Sequence, residues 1–157
     1  MTLSIRESRD VEMIRSVIYS PLVARTALPP EEQLRLHVQG IDQMPLHNNN
    51  FYLLVYSDDD LAGCIRWCPF SNTTIEFHSY ILPKYWGKGV PESLVKVAFQ
   101  YFKDTTPFKK IITFVPSSCK HVQNALKRCE FTEEGKLENS ILWKDKIEHL
   151  HIFGAYL

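Results

Sequence analysis

Glu76 and His78 stand two residues apart in the run TTIEFHSYIL, whose apolar and polar residues alternate as they do in a β-strand. Strand side chains change face at every step, so Ile75, Phe77 and Ile81 share one side and Glu76, His78 and Tyr80 the other. A carboxylate and an imidazole on one polar row are suited to take a proton from an attacking group, directly or through water. Glu76 is the first candidate for that base and His78 the second. The competing reading makes both of them salt-bridged or hydrogen-bonded surface groups.

A short loop carrying Gly87 and Gly89 follows, and then a helix begins. Loop amides and the unpaired N–H groups of a first helical turn converge on one spot, which suits a phosphate or pyrophosphate. A plain strand-turn-helix also explains the two glycines. Pro91 is expected at the first helical position, with Glu92 complementing the positive end of the dipole. Val90, Leu94, Val97, Ala98, Tyr101 and Phe102 recur at the spacing of one buried stripe.

The segment Ile81-Leu82-Pro83-Lys84-Tyr85-Trp86-Gly87-Lys88-Gly89-Val90-Pro91 resembles the signature of the GNAT acetyltransferase superfamily. In that family a strand ends in a hydrophobic residue and a loop runs through Gln/Arg-x-x-Gly-x-Gly/Ala into a helix. Here Trp86 stands at the Gln/Arg position and Pro91 at the second Gly/Ala, where it brings no N–H. The resemblance implies an α/β mixed sheet of six or seven strands flanked by about four helices, splayed between strands 4 and 5, in one domain over 1–157. It implies acetyl-CoA as cosubstrate, its arm held by the backbone of Ser79 and Ile81, with the Ile81 N–H polarising the thioester carbonyl. The coenzyme site would continue through Trp86, Gly87, Lys88, Gly89, Val90 and Pro91 to Cys119, which replaces an Asn usual near the later helix start. The family's Tyr acid falls at Leu126, which donates no proton; general acid catalysis is typically worth about 100-fold to 10,000-fold.

Two functions follow from the resemblance. One is transfer of an acetyl group from acetyl-CoA to a primary amine by direct attack. The other is a catalytically degenerate GNAT-fold protein that acts in assembly or protein interaction. The chain is similar in overall look to small GNAT-like proteins of tailed bacteriophages, some of them head-assembly factors, which implies virion-assembly partners and the host cytoplasm. Glu76 and the glycine loop favour the enzyme, whereas Trp86, Pro91 and Leu126 favour the binding protein.

The remaining sequence narrows the classes. Over 157 residues, 18 basic and 18 acidic side chains balance without a long run of either sign, so nucleic acid is not an expected partner. No apolar stretch reaches the length of a membrane span, and MTLSIRESRD is too polar for a signal peptide, which points to a cytoplasmic protein away from the membrane. Cys64 and Cys68, four apart on a strand, lie roughly 13 Å from each other, too far for a disulfide or a shared metal. Together with Cys119 and Cys129 they read as reduced thiols, and no metal site is expected. Ser57-Asp58-Asp59-Asp60 lacks the ligand pattern of a calcium loop and reads as a hairpin turn.

In chain order the pattern predicts a strand over Leu3 to Glu7, a helix opened by Asp10, and a second helix over Glu31 to Gly40. Arg25 and Thr26 between them are candidates by position for the acceptor pocket, or solvated loop. A polar turn at His47 to Asn50 precedes strands at Phe51 to Tyr56 and Leu61 to Trp67. After the long helix come a buried strand at Ile111 to Val115 and a helix at Ser118 to Cys129 capped by Ser117 or Ser118, with Val122, Ala125, Leu126 and Cys129 inward. A hairpin of Phe131 to Trp143 and Ile147 to Tyr156 closes the chain, apolar enough at HLHIFGAYL to pair across a homodimer if the protein is not a monomer.

Overall fold

The computed structural model describes residues 2–21, 23, 51–87 and 89–157. The expected helix at 31–40, the turn at 47–50, Arg25, Thr26 and Lys88 lie outside them. Among the described residues the elements run β1 (Leu3–Glu7), α1 (Val11–Ile18), β2 (Phe51–Ser57), β3 (Asp60–Pro69) and β4 (Thr74–Ile81). A 3-10 turn (Pro83–Tyr85), α2 (Val90–Thr105), β5 (Lys110–Pro116), α3 (Lys120–Arg128), β6 (Thr132–Trp143) and β7 (Lys146–Tyr156) complete the order.

Seven strands form one mixed sheet in the order β1-β2-β3-β4-β5-β7-β6. All neighbours are antiparallel except β4 and β5. That parallel pair is short, running only from Thr74 opposite Lys110 to Glu76 opposite Ile112, after which the ladder stops. The splay expected between strands 4 and 5 is therefore present, and it begins beside Glu76.

Each face of the sheet has its own core. Ile14, Val17 and Ile18 of α1 pack with Tyr52, Leu54, Cys64 and Tyr80 on one face. On the other, Leu94, Ala98 and Phe102 of α2 meet Leu53, Ile65, Phe77 and Phe153. Asp10 caps α1 as expected, its carboxylate accepting from the Met13 N–H at 3.0 Å. Phe102 is fully buried and meets Trp67 edge-on at 5.4 Å. Truncating it to alanine would cost about 3–5 kcal/mol. At Gly63 the backbones of β3 and β4 come so close that a Cβ would stand 2.4 Å from the Tyr80 carbonyl oxygen, so only glycine fits.

Four local expectations need correcting. Val90 is the first residue of α2 and Pro91 the second, because Gly89 in the left-handed region (φ +70°) forms the cap. Val95 joins the buried stripe, and Val97 is only half-buried. α3 begins at Lys120 with Cys119 as cap and no side-chain cap bond, while Val122 faces outward and Gln123 inward. There the inward Gln123 amide donates to the Pro116 and Ser117 carbonyl oxygens, a polar task that an apolar stripe does not reveal. Finally, β7 is an interior strand between β5 and β6, with Phe153 and Ala155 in the core and both edges paired, so it has no free edge on which to pair with another strand. The edge is β6, whose Glu133, Glu134, Lys136 and Glu138 are exposed and discourage edge pairing.

Candidate functional site

On the α1 face, β3 and β4 place three ionisable groups side by side. His78 Nε2 lies 2.6 Å from Glu76 Oε1, and Arg66 Nη2 donates to the same oxygen at 3.3 Å. Antiparallel register brings them together, since Arg66 pairs with His78 and its side chain reaches one rung along to Glu76. The His78 hydrogen bond holds the Glu76 carboxyl below the usual carboxylate range against the opposing effect of burial, with the His78 and Arg66 charges adding to it. An ionised carboxylate only accepts, so His78 carries its proton on Nε2 and, when neutral, keeps its lone pair on Nδ1. Arg66 Nε is buried and has no hydrogen-bond partner among the described residues.

The opening beside β4 is lined by backbone. The Leu82 N–H donates to the Ala62 carbonyl at 2.9 Å, which fixes the alternation along the strand. Even-numbered peptide groups of β4 serve β3, and those of Ser79 and Ile81 face the gap. Trp86 stands at this edge and is 44% exposed. Its Nε1–H donates to the Ile81 carbonyl at 2.7 Å, occupying one acceptor on that edge.

At the mouth of α2, Gly87 and Gly89 both have φ near +70°, and a Cβ added at either meets nothing within 4 Å. The space expected for an anion is there, but the donors are fewer than the fold needs. The Val90 side chain is fully buried and anchors the turn. Pro91 has no N–H, and the Glu92 carboxylate accepts from its own amide. Arg128 also reaches Glu92, with Nε at 3.0 Å and Nη2 at 2.7 Å. A carboxylate thus sits where an incoming phosphate would bring its charge. The strand edge fits an amide-bearing coenzyme arm, whereas the helix mouth fits a pyrophosphate only in part.

Cys119 and Leu126 are both buried in the α2-side core. Burial pushes the Cys119 thiol up, and its amide donates to the Pro116 carbonyl rather than toward the gap. Leu126 leaves the acid position apolar, and Tyr80 is buried on the opposite face under α1. Glu76 and His78 thus meet on the α1 face of β4, the Ser79 and Ile81 peptide groups lie along the edge that the ladder leaves, and Trp86, Gly87 and Gly89 follow in the turn to α2. Arg66 escaped the sequence reading. Its signal was the register of the β3-β4 hairpin, which puts position 66 on the same polar row.

Among the described residues no helix is long and apolar enough to cross a membrane, and no group of three or more His, Cys, Asp or Glu side chains is placed to hold a metal ion. Similar solved structures include spermidine N-acetyltransferase from Vibrio cholerae in complex with CoA and spermine, at 19% identity and a TM-score of 0.75, covering 98% of this chain and 95% of that one. A dodecameric form of the Vibrio cholerae enzyme matches at 17% identity and TM-score 0.72, with 98% and 93% covered. An acetyltransferase from Salmonella typhimurium that modifies the N-terminal serine of a 50S ribosomal subunit protein matches at 14% and 0.75, with 100% and 96% covered. No curated protein matches by sequence. The fold is that of the GNAT acetyltransferases, with parallel β4-β5 pairing and a seven-stranded mixed sheet. The model of a family described as protein of unknown function (DUF2824) matches residues 26–151, and the chain belongs to that family.

Proposed function

We propose that this protein transfers an acetyl group from acetyl-CoA to a primary amine by direct attack. The observation that carries the reading is the ladder that stops at Glu76 and Ile112, leaving the Ser79 peptide group and the Ile81 N–H turned into the splay between β4 and β5. When bound there, the coenzyme supplies an activated acyl carbonyl and a thiolate leaving group. The Ile81 N–H polarises the carbonyl. His78 takes the amine proton at Nδ1, and Glu76 orients the ring through Nε2. This reverses the order of the two sequence candidates, because Glu76 is already held by two donors and is weakened as a base. Gly87 and Gly89 leave room for the pyrophosphate, with Lys88 and Val90 alongside.

Isothermal titration with acetyl-CoA tests this reading, and the expected affinity is micromolar, about 8 kcal/mol. No heat at millimolar ligand would sink it. A second reading, a non-catalytic assembly or interaction protein such as a phage head-assembly factor, is favoured by Leu126 at the acid position, by the Trp86 indole on the Ile81 carbonyl and by the Glu92 carboxylate on its own amide. Under that reading coenzyme binding is absent and Trp86→Ala does not restore it. Under the enzyme reading Trp86→Ala frees an acceptor and tightens binding.

A further inference from the structure

On the opposite face of the sheet, three side chains from β6, β7 and the β5-α3 turn form a linear relay. Ser117 Oγ lies 2.8 Å from His151 Nε2, and His151 Nδ1 lies 2.6 Å from Glu133 Oε1. The direction of the relay is fixed by what each group can do. A carboxylate only accepts, so the Nδ1 proton belongs between His151 and Glu133. In the neutral ring Nε2 then holds a lone pair, and the Ser117 hydroxyl donates to it. The Ser117 contact with the His149 carbonyl, at 3.3 Å, is the longer alternative for the same proton. Nucleophile, base and orienting carboxylate thus follow in the order that activates a serine.

We propose that Ser117 is an activated nucleophile that accepts a short acyl group from a thioester or ester and passes it to water. Three further observations support it. Gln123, buried, donates to the Pro116 and Ser117 carbonyl oxygens and locks the turn that presents the hydroxyl. The His151 side chain is 14% exposed and that of Glu133 38%, while Ser117 is half-buried, so the base is enclosed and the nucleophile reachable. The Ser118 amide, next after the nucleophile, already holds a negatively charged oxygen: Glu148 Oε2 accepts from it at 2.9 Å. A carboxylate there marks where the oxyanion of a tetrahedral adduct would be stabilised.

The chemistry balances without an oxidant or metal. His151 Nε2 takes the Oγ proton as Oγ bonds to the acyl carbon. The carbon–sulfur or carbon–oxygen bond breaks, and the leaving thiolate or alkoxide takes that proton. Water, deprotonated by the same nitrogen, then attacks the acyl-serine ester, Oγ leaves with the proton, and a carboxylic acid departs. With a single oxyanion donor the reaction is slow, since one such donor is worth about 100-fold to 1000-fold.

The test needs no coenzyme binding, so its result is separate from the acetyltransferase reading. The intact protein is treated with p-nitrophenyl acetate and, separately, a fluorophosphonate, and adducts are mapped by peptide mass spectrometry. An acetyl or phosphonyl group on Ser117, lost in His151→Ala, is expected. Ser117→Ala should slow ester hydrolysis about 100-fold or more, and Glu148→Ala, which frees the Ser118 amide, should speed labelling several-fold. A merely structural network predicts no change in labelling from Glu148→Ala. The absence of any Ser117 adduct on the folded wild-type protein overturns the proposal without recourse to a variant, as does hydrolysis by Ser117→Ala at the wild-type rate. Thiol release from acetyl-CoA without an amine, abolished in Ser117→Ala, would identify the thioester as the source; turnover of esters alone would identify the ester.

Discussion

Each face of the sheet holds a histidine 2.6 Å from a glutamate, and the two pairs are wired in opposite senses. Under α1 the carboxylate holds Nε2 of His78, which turns Nδ1 into the basic nitrogen. On the α2 and α3 face the carboxylate holds Nδ1 of His151, which turns Nε2 toward a serine hydroxyl. The nitrogen that a carboxylate engages decides which nitrogen can take a proton, so one residue pair gives two chemistries. In the proposed transfer the first pair takes its proton from an amine that comes from outside. The second already has its nucleophile in place.

Crossing the two histidines gives the largest expected effect. His78→Ala should lower amine acetylation about 100-fold or more, and His151→Ala should lower Ser117 acylation by a similar factor, each read by its own assay. If His151→Ala alone abolished both reactions, the separation of the faces would be wrong.

Replacing the glutamates is the next step down. Glu76→Gln and Glu133→Gln should each cost about tenfold in their own reaction, through the loss of one orienting hydrogen bond. Losses equal to those from the histidine variants would mean that the carboxylate is itself the base, as first expected of Glu76.

The two pairs also differ in how acid should affect them. The Glu76 carboxyl titrates lower in the folded chain than in the unfolded one, through its His78 hydrogen bond and Arg66. It therefore contributes stability that is full above the unfolded carboxyl range, about pH 4, and is lost as pH falls through the folded value. Urea denaturation should show wild type more stable than Glu76→Gln by about 1–3 kcal/mol at pH 7, with the gap closing in acid. Glu133 is lowered in the same direction by His151 but is more exposed, so the corresponding gap for Glu133→Gln should be smaller.

The smallest effect sharpens the coenzyme question. Pro91→Ala returns an N–H to the first turn of α2 and should tighten acetyl-CoA binding about 2-fold to 10-fold by titration calorimetry. An unchanged affinity would mean that the pyrophosphate is not held at this helix.

Local pattern carried much of the fold because its signals are local. Alternation along 74–81, the Asp10 cap and the turn at Asp58 and Asp59, whose φ values of +46° and +71° suit a two-residue hairpin, depend only on neighbours in sequence. The Glu76 and His78 pair was legible for the same reason, being two residues apart on one strand. Arg66 was less so, because its place depends on hairpin register. The inward turn of Gln123 was hidden, since it answers a need for donors at Pro116 and Ser117 that no helical periodicity encodes.

The sequence by itself determined the strands, the glycine mouth and the two deficits at Pro91 and Leu126, because a missing N–H and a missing hydroxyl are properties of residue type. Only the tertiary structure decided that β7 runs inside the sheet between β5 and β6. That placement sets His151, 34 residues beyond Ser117 and 18 beyond Glu133, within hydrogen-bonding distance of both. Pairing between distant strands is settled by how the whole sheet buries its apolar faces, and no short stretch of chain contains that information.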